Sequence, residues 1–191
     1  MIEKAINSWA LATVVLISAA LVVSGPDCSP VAVILGILFL HGWVYWTHRI
    51  LHILPPSNLN THIRFHHELA GDKSIPRWLE LIFETITDLG MILSFGLVQW
   101  ATGVHLIPTS CIVLFAIAYS SVHLVNYSII GSIDHRRHHL TMNKNFGPDT
   151  VDHMFGTNYD DTFEDWDTIS LNAVGAFYIT QLLKYHIGWN E

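Results

Sequence analysis

The sequence predicts an all-α integral membrane protein, a bundle of four transmembrane helices with interfacial helices at one end. Three observations carry this reading. The stretches 9–24, 31–47, 89–103 and 107–122 contain no Lys, Arg, Asp or Glu. Of the 191 residues, 51% are hydrophobic and only 13% are charged, against about 25% charged in an ordinary soluble domain. No run shows the two-residue alternation of a half-buried strand. The same composition excludes a disordered chain. Nine Lys+Arg against sixteen Asp+Glu leave a net charge of −7, with no basic stripe to engage nucleic acid. Two cysteines make neither a disulfide scaffold nor a Cys-rich zinc module. Seven tryptophans suit a chain that meets a membrane–water boundary.

Taken in order, the first two apolar stretches form a hairpin closed at 25–30, and the next two a hairpin closed at 103–108. Each stretch is about 16 residues, shorter than the roughly 20 that cross a typical bilayer, so a thin membrane such as the endoplasmic reticulum suits it best. Neither closing turn carries Lys or Arg, and all nine basic residues lie on the other side of the hairpins. The positive-inside rule then places both termini and both polar blocks in the cytoplasm, with the N-terminal segment retained. The chain reads as one membrane-embedded domain over 1–191.

The first polar block, 48–88, holds a turn at Pro55-Pro56-Ser57-Asn58 and a helix over about 59–70. Pro76 opens a further helix, in which Trp78, Leu79, Ile82, Phe83 and Ile86 repeat opposite Glu80, Glu84 and Asp88. That pattern predicts a helix lying on the membrane surface with its acidic face in water. In the second block, from 123 onward, the apolar stretch 168–185 is expected at the interface or packed on the bundle. A fifth span would carry Lys184 to the far side. The acidic run Asp160, Asp161, Glu164, Asp165 and Asp167 reads as a solvated face.

Nine of the thirteen histidines crowd the ends of the apolar stretches. His48 and His52 are followed by His62, His66 and His67; His123 is followed by His135, His138 and His139. Spacings of three and four place imidazoles one helical turn apart, where two can chelate one cation. A doubled histidine adds a ligand rotated about 100° away, able to reach a second cation. Nine imidazoles exceed what one ion uses, so two ions are implied, of a kind that accepts nitrogen: zinc, copper, iron or nickel. His41, His105 and His186 read as hydrogen-bonded or surface residues, and His153 as facing either the ligands or the substrate. Glu68, Asp134 and Asp152 are candidates to orient ligand imidazoles through the distal N–H. Arg49, Arg64, Arg136 and Arg137 flank the site as topology anchors or as holders of an anionic headgroup.

These residues carry a family resemblance. His48-Arg-Ile-Leu-His52, His62…His66-His67 and His135-Arg-Arg-His138-His139, trailed by Asn145-Phe146-Gly147 and Asp152-His153-Met154-Phe155-Gly156-Thr157, resemble the membrane-bound fatty acid hydroxylase/sterol desaturase superfamily over about 31–157. The resemblance implies a four-helix membrane bundle with a cytosolic dimetal site. It implies two iron ions as cofactors (zinc in a purified form), dioxygen as co-substrate, a lipid substrate, and electrons from a cytochrome b5-like or ferredoxin-type protein. The location expected is the endoplasmic reticulum in a eukaryote or the inner membrane in a bacterium. Two departures stand out. Ile63 occupies a position where a histidine is commoner, which rotates the face of His62 relative to the pair His66-His67 but leaves it within reach of a metal. Asn126 and Tyr127 follow His123 where many members carry a second histidine, so that ion has one ligand fewer or takes water.

The expected chemistry is O2-dependent hydroxylation of a lipid C–H bond, an acyl chain or a sterol. Desaturation of the same substrate class differs only in the fate of the substrate radical and stays open. A membrane metal transporter is the reading from another class. It calls for ionisable ligands near mid-bilayer, whereas the predicted spans hold no Asp, Glu, Lys or Arg.

Overall fold

The computed structural model describes residues 2–57, 60–68, 75–160 and 166–189, with the side chains of 2–11, 134 and 166–168 outside that description. All regular structure in the described residues is helical. Helices α1 (Ile2–Ser24) and α2 (Pro30–Ile53) form the first hairpin. Its turn holds Gly25 at φ +83, and Pro30 opens α2, where a missing N–H costs nothing. A short π-helix, π1 (His62–Glu68), leads toward α3 (Arg77–Thr102). Helix α4 (Thr109–Ser121) runs without a break into a second π-helix, π2 (Val122–Ile130). Helices α5 (Ile133–Thr141), α6 (Asp149–Phe155) and α7 (Trp166–Ile187) complete the chain.

The core is a seam of aliphatic and aromatic side chains between the long helices. Leu40 and Val44 of α2, Ile92 and Phe95 of α3, Leu114 and Phe115 of α4 and Ala20 of α1 are all buried in it. Outward faces are equally apolar: Leu35, Leu97, Leu171 and Leu182 are all exposed. A bundle apolar on both its inner and outer faces is stable in lipid rather than water. Three helical stretches, Pro30–Ile53, Arg77–Thr102 and Thr109–Ile130, are long and apolar enough to cross a membrane, and Ala12–Ser24 is a shorter apolar stretch. At the end opposite the histidines, Gln99 closes the second hairpin. Its Oε1 accepts the N–H groups of Leu106 and Ile107, each at 2.8 Å.

Two expectations are corrected. The surface helix after Pro76 and the third span are one helix of 26 residues, which rises about 39 Å, past the ~30 Å hydrocarbon core. Its polarity is the reverse of the surface reading. Glu80, Glu84 and Asp88 are buried, while Trp78, Ile82 and Ile86 face outward. Lipid, not water, is the outer solvent here, so the acidic face turns inward. The second correction concerns the C-terminal segment. Near its start, Asn172 of α7 donates to Asn126 of π2 at 3.0 Å. Near its end, the Lys184 Nζ donates to the Val23 carbonyl at 2.7 Å, beside the α1–α2 turn. Helix α7 therefore packs along α1 and α4 for the length of the bundle. The last described residues lie at the end remote from the histidines, whereas the sequence reading placed both termini with them.

A topology experiment follows. In sealed, oriented vesicles, an epitope tag appended after residue 191 is expected to be accessible from the same membrane face as a tag inserted at 25–29. A tag at 142–143 should be accessible from the opposite face. Accessibility of the C-terminal tag together with the 142–143 tag would contradict this arrangement.

Candidate metal centre

Four helical segments deliver the nine clustered histidines to one end of the bundle, and local winding decides where each one points. On α2, His48 and His52 lie one turn apart and face inward together. In π1 the winding follows the i→i+5 pattern of a π-helix. This brings His62 and His67, five residues apart, onto one face, with their Nε2 atoms 3.2 Å apart. That wider turn absorbs the extra residue at Ile63 and lets His62 reach the group in spite of its rotated position. On α5, His135 and His139 share a face at i, i+4, and His138 turns the other way.

The result is two adjacent groups. His48, His52, His62, His67 and His138 form the first, and His66, Glu84, His123 and His135 the second; within each, potential ligand atoms lie within 4.8 Å of one another. His139 joins the second group, its Nε2 3.0 Å from those of both His66 and His135. In the first group the Nε2 atom of His48 is 2.9 Å from that of His62 and 3.2 Å from that of His52, and His52 is 3.0 Å from His62. Nitrogen ligands about 2.1 Å from a cation and at right angles to one another stand about 3.0 Å apart. The spacing thus fits a shared ion.

Hydrogen bonding makes the fit more specific. The Nδ1–H of His48 donates to the Phe146 carbonyl and that of His138 to the Lys144 carbonyl, each at 2.5 Å. With the proton fixed on Nδ1, Nε2 carries a bare lone pair. The Nε2 of His138 is buried with no hydrogen-bond partner among the described residues. A buried orphan of this kind is costly unless something electrophilic meets it. Burial, reinforced by the neighbouring imidazoles, keeps His62, His66, His67 and His135 well below the usual imidazole range. Burial likewise takes His138 to about 3 and His139 to about 4. Neutral imidazoles are the form that binds a cation.

The loop after α5 fixes the carbonyls that orient His48 and His138. Asp152, on α6, accepts the N–H of Phe146 at 3.0 Å, the N–H of Gly147 at 2.5 Å and the Thr157 hydroxyl at 2.6 Å. Asn145 and Gly147 hold positive φ in this loop. Asp152 therefore works one step behind the place the sequence reading gave it: it shapes a loop whose carbonyls take the imidazole protons. Glu68 is also placed differently, pairing with Arg64 at the surface at 2.9 Å. The Asp134 side chain lies outside the described residues. His153 is half-buried on α6, outside both groups. His41 donates to the Ile37 carbonyl of its own helix at 2.8 Å, and His105 and His186 are exposed. Arg49 donates to the Tyr45 hydroxyl at 3.0 Å and packs over Trp46. Arg137 pairs with Asp160 at 2.5 Å, and Arg136 lies against Gly131. Of the acidic run, 161 and 164–165 and the side chain of 167 lie outside the described residues.

Two residues escaped the sequence reading. Glu84 Oε1 lies 2.7 Å from His123 Nδ1, and Asp88 Oδ2 lies 3.1 Å from the same nitrogen. The signal was present in the i, i+4 spacing of Glu80, Glu84 and Asp88 inside an apolar run, where an acid within a span marks function by default. A recess between the groups is lined by His48, Tyr119, His123, Tyr127, His135 and Phe146. Tyr127 stacks on His135 with ring centroids 4.7 Å apart.

Two outcomes are expected. Asp152→Ala strands the buried Phe146 N–H and the half-buried Gly147 N–H and Thr157 hydroxyl, and should cost about 3 kcal/mol of stability, read as a lowered unfolding temperature in detergent. The metal-free protein should also lose stability as pH falls from about 6.5 toward 4. In that window an unfolded histidine takes up a proton, whereas His62, His66, His67, His135 and His138 in the folded chain do not, so the unfolded chain binds more protons. Unfolding temperatures of the stripped protein at pH 7 and pH 5 check this; a higher value at pH 5 would contradict it.

No curated protein and no solved structure matches the chain. The family model described as fatty acid hydroxylase matches residues 33–157, a segment that contains all nine clustered histidines, both π-helices and the Asp152 loop. This chain, with its two histidine groups at one end of an apolar helical bundle, belongs to the fatty acid hydroxylase family.

Proposed function

We propose that the protein hydroxylates a lipid C–H bond with dioxygen, at a pair of iron ions held by the two histidine groups. His48, His52, His62, His67 and His138 hold one ion, and His66, His123, His135 and His139 the other. The observation that carries this reading is the convergence of Nε2 atoms at 2.9–3.2 Å in the first group and 3.0 Å in the second. An iron pair so held supplies the activation of dioxygen: RH + O2 + 2e⁻ + 2H⁺ gives ROH + H2O. Both electrons come from outside the chain, since no dinucleotide-binding glycine motif or haem-binding motif occurs in the sequence. A cytochrome b5-like or ferredoxin-type donor fits that need.

The chain's own groups perform the remaining tasks. The Phe146 and Lys144 carbonyls lock His48 and His138 in the tautomer that presents Nε2. Tyr119, Tyr127 and Phe146 line the recess between the groups and keep bulk water from it. The apolar outer faces of the helices let a lipid tail approach from the bilayer. The basic residues beside the histidines, Arg49, Arg64, Arg136 and Arg137, favour a centre on the cytoplasmic side of the membrane.

The test is anaerobic purification, iron quantified per chain, and product analysis on a lipid panel. Wild-type protein is expected to hold about two irons and to yield products that gain one oxygen atom. Products lighter by two hydrogens would instead identify a desaturase. His138→Ala and His66→Ala should lose metal and abolish turnover, and His105→Ala should do neither. Equal damage from His105→Ala, or metal transport independent of dioxygen, would overturn the assignment.

A further inference from the structure

The two groups differ in what stands behind their imidazoles. Behind the first are neutral acceptors, the Phe146 and Lys144 carbonyls, each 2.5 Å from the distal nitrogen of its histidine. Behind the second are carboxylates. Glu84 Oε1 lies 2.7 Å from His123 Nδ1 and 3.6 Å from His66 Nδ1. Asp88 stands one helical turn along α3, its Oδ2 3.1 Å from His123 Nδ1. The Nε2 of His66 meets that of His139 at 3.0 Å, so the His66 ring presents one nitrogen to the cluster and the other toward Glu84.

These carboxylates are costly where they sit. Glu84 is 4% exposed and Asp88 1%, inside a helix whose outer face is apolar. Burying charge this deeply requires an opposite charge or strong hydrogen bonds. Arg77, which begins the same helix, is engaged elsewhere: it pairs with Glu80 at 2.5 Å and donates to the Ser128 carbonyl at 2.9 Å. The Ser128 hydroxyl donates to Glu84 Oε1, which holds the carboxylate in place without neutralising it. Glu84 Oε2 is buried with no hydrogen-bond partner among the described residues. A cation on the far side of the His66 and His123 rings would supply the missing charge.

We propose that Glu84 is a positioning carboxylate behind His66 and His123, making the two cation sites inequivalent, with the Glu84-backed site the tighter. This rests on the reading that both groups hold cations. A carboxylate at the distal nitrogen raises imidazole basicity and fixes ring orientation. It also adds negative charge close to the ion in a medium of low dielectric, where a carbonyl adds only a dipole.

The test uses the full chain in detergent, stripped under anaerobic conditions and titrated with Co(II), with uptake followed by equilibrium dialysis and visible absorption. Wild type is expected to take up two ions in two resolved steps. Glu84→Gln, which keeps size and an acceptor oxygen, should still bind two, with the tight step weakened about 10–100-fold. Glu84→Asp should recover part of that loss. Asp152→Asn, which loosens the loop behind the first group, should leave the tight step in place. An unchanged tight step in folded Glu84→Gln overturns the proposal. If that variant does not fold, an unchanged tight step in Glu84→Asp does so. Loss of one ion at every cobalt concentration would make Glu84 a direct ligand and overturn the positioning role. A wild-type chain that takes up no cobalt overturns the two-cation reading itself, whereas two ions with an indifferent Glu84 overturn only this inference.

Discussion

The structure turns on lone pairs that face one another in a dry interior. Imidazoles are brought to within about 3 Å, nitrogen to nitrogen, at the end of an apolar bundle. Such an arrangement is repulsive in itself and gains nothing from the hydrophobic effect. It becomes favourable when a cation accepts the lone pairs, and binding and folding are then linked. Much of the chain near the site serves to hold that arrangement ready. The loop after α5 accepts the Nδ1–H groups of His48 and His138, Asp152 holds the loop, and burial keeps His62, His66, His67 and His135 neutral.

Helix α3 shows how the surrounding solvent inverts an amphipathic pattern. In water, the face bearing Glu80, Glu84 and Asp88 would be the outer one. In this bundle it is the inner one, and Trp78, Ile82 and Ile86 form the outer surface. The periodicity is the same in both cases, since it depends only on the 3.6-residue turn. The direction depends on which side offers partners. Here the histidines offer nitrogen to the carboxylates, and lipid offers contact to the aliphatic and aromatic groups. One helix is therefore long and apolar enough to span a membrane and also carries carboxylates to the site.

Helical winding does the sorting between the two groups. Adjacent histidines diverge: His66 joins one group and His67 the other, and His138 and His139 divide in the same way. The i, i+4 pair His48 and His52 stays together on α2, and His62 and His67 stay together because π1 is wound more widely than an α-helix. The spacing of a histidine motif thus has meaning only together with the winding of the segment that bears it. Both π-segments lie at the site, as such local distortions commonly do.

The sequence by itself determined the helical membrane class, the two hairpins and the histidines that assemble, because apolar run length and histidine spacing are properties of the chain alone. The motifs His135-Arg-Arg-His138-His139 and Asn145-Phe146-Gly147 were legible for the same reason. Only the tertiary structure decided the inward turn of Glu84 and Asp88, the π-winding that returns His62 to the site, and the course of α7 to the far end of the bundle. Each of these depends on partners distant in sequence: His123 for Glu84, His48 for His62, and Val23 for Lys184. Local pattern specifies which residues share a face, but what that face meets is settled only when the helices pack.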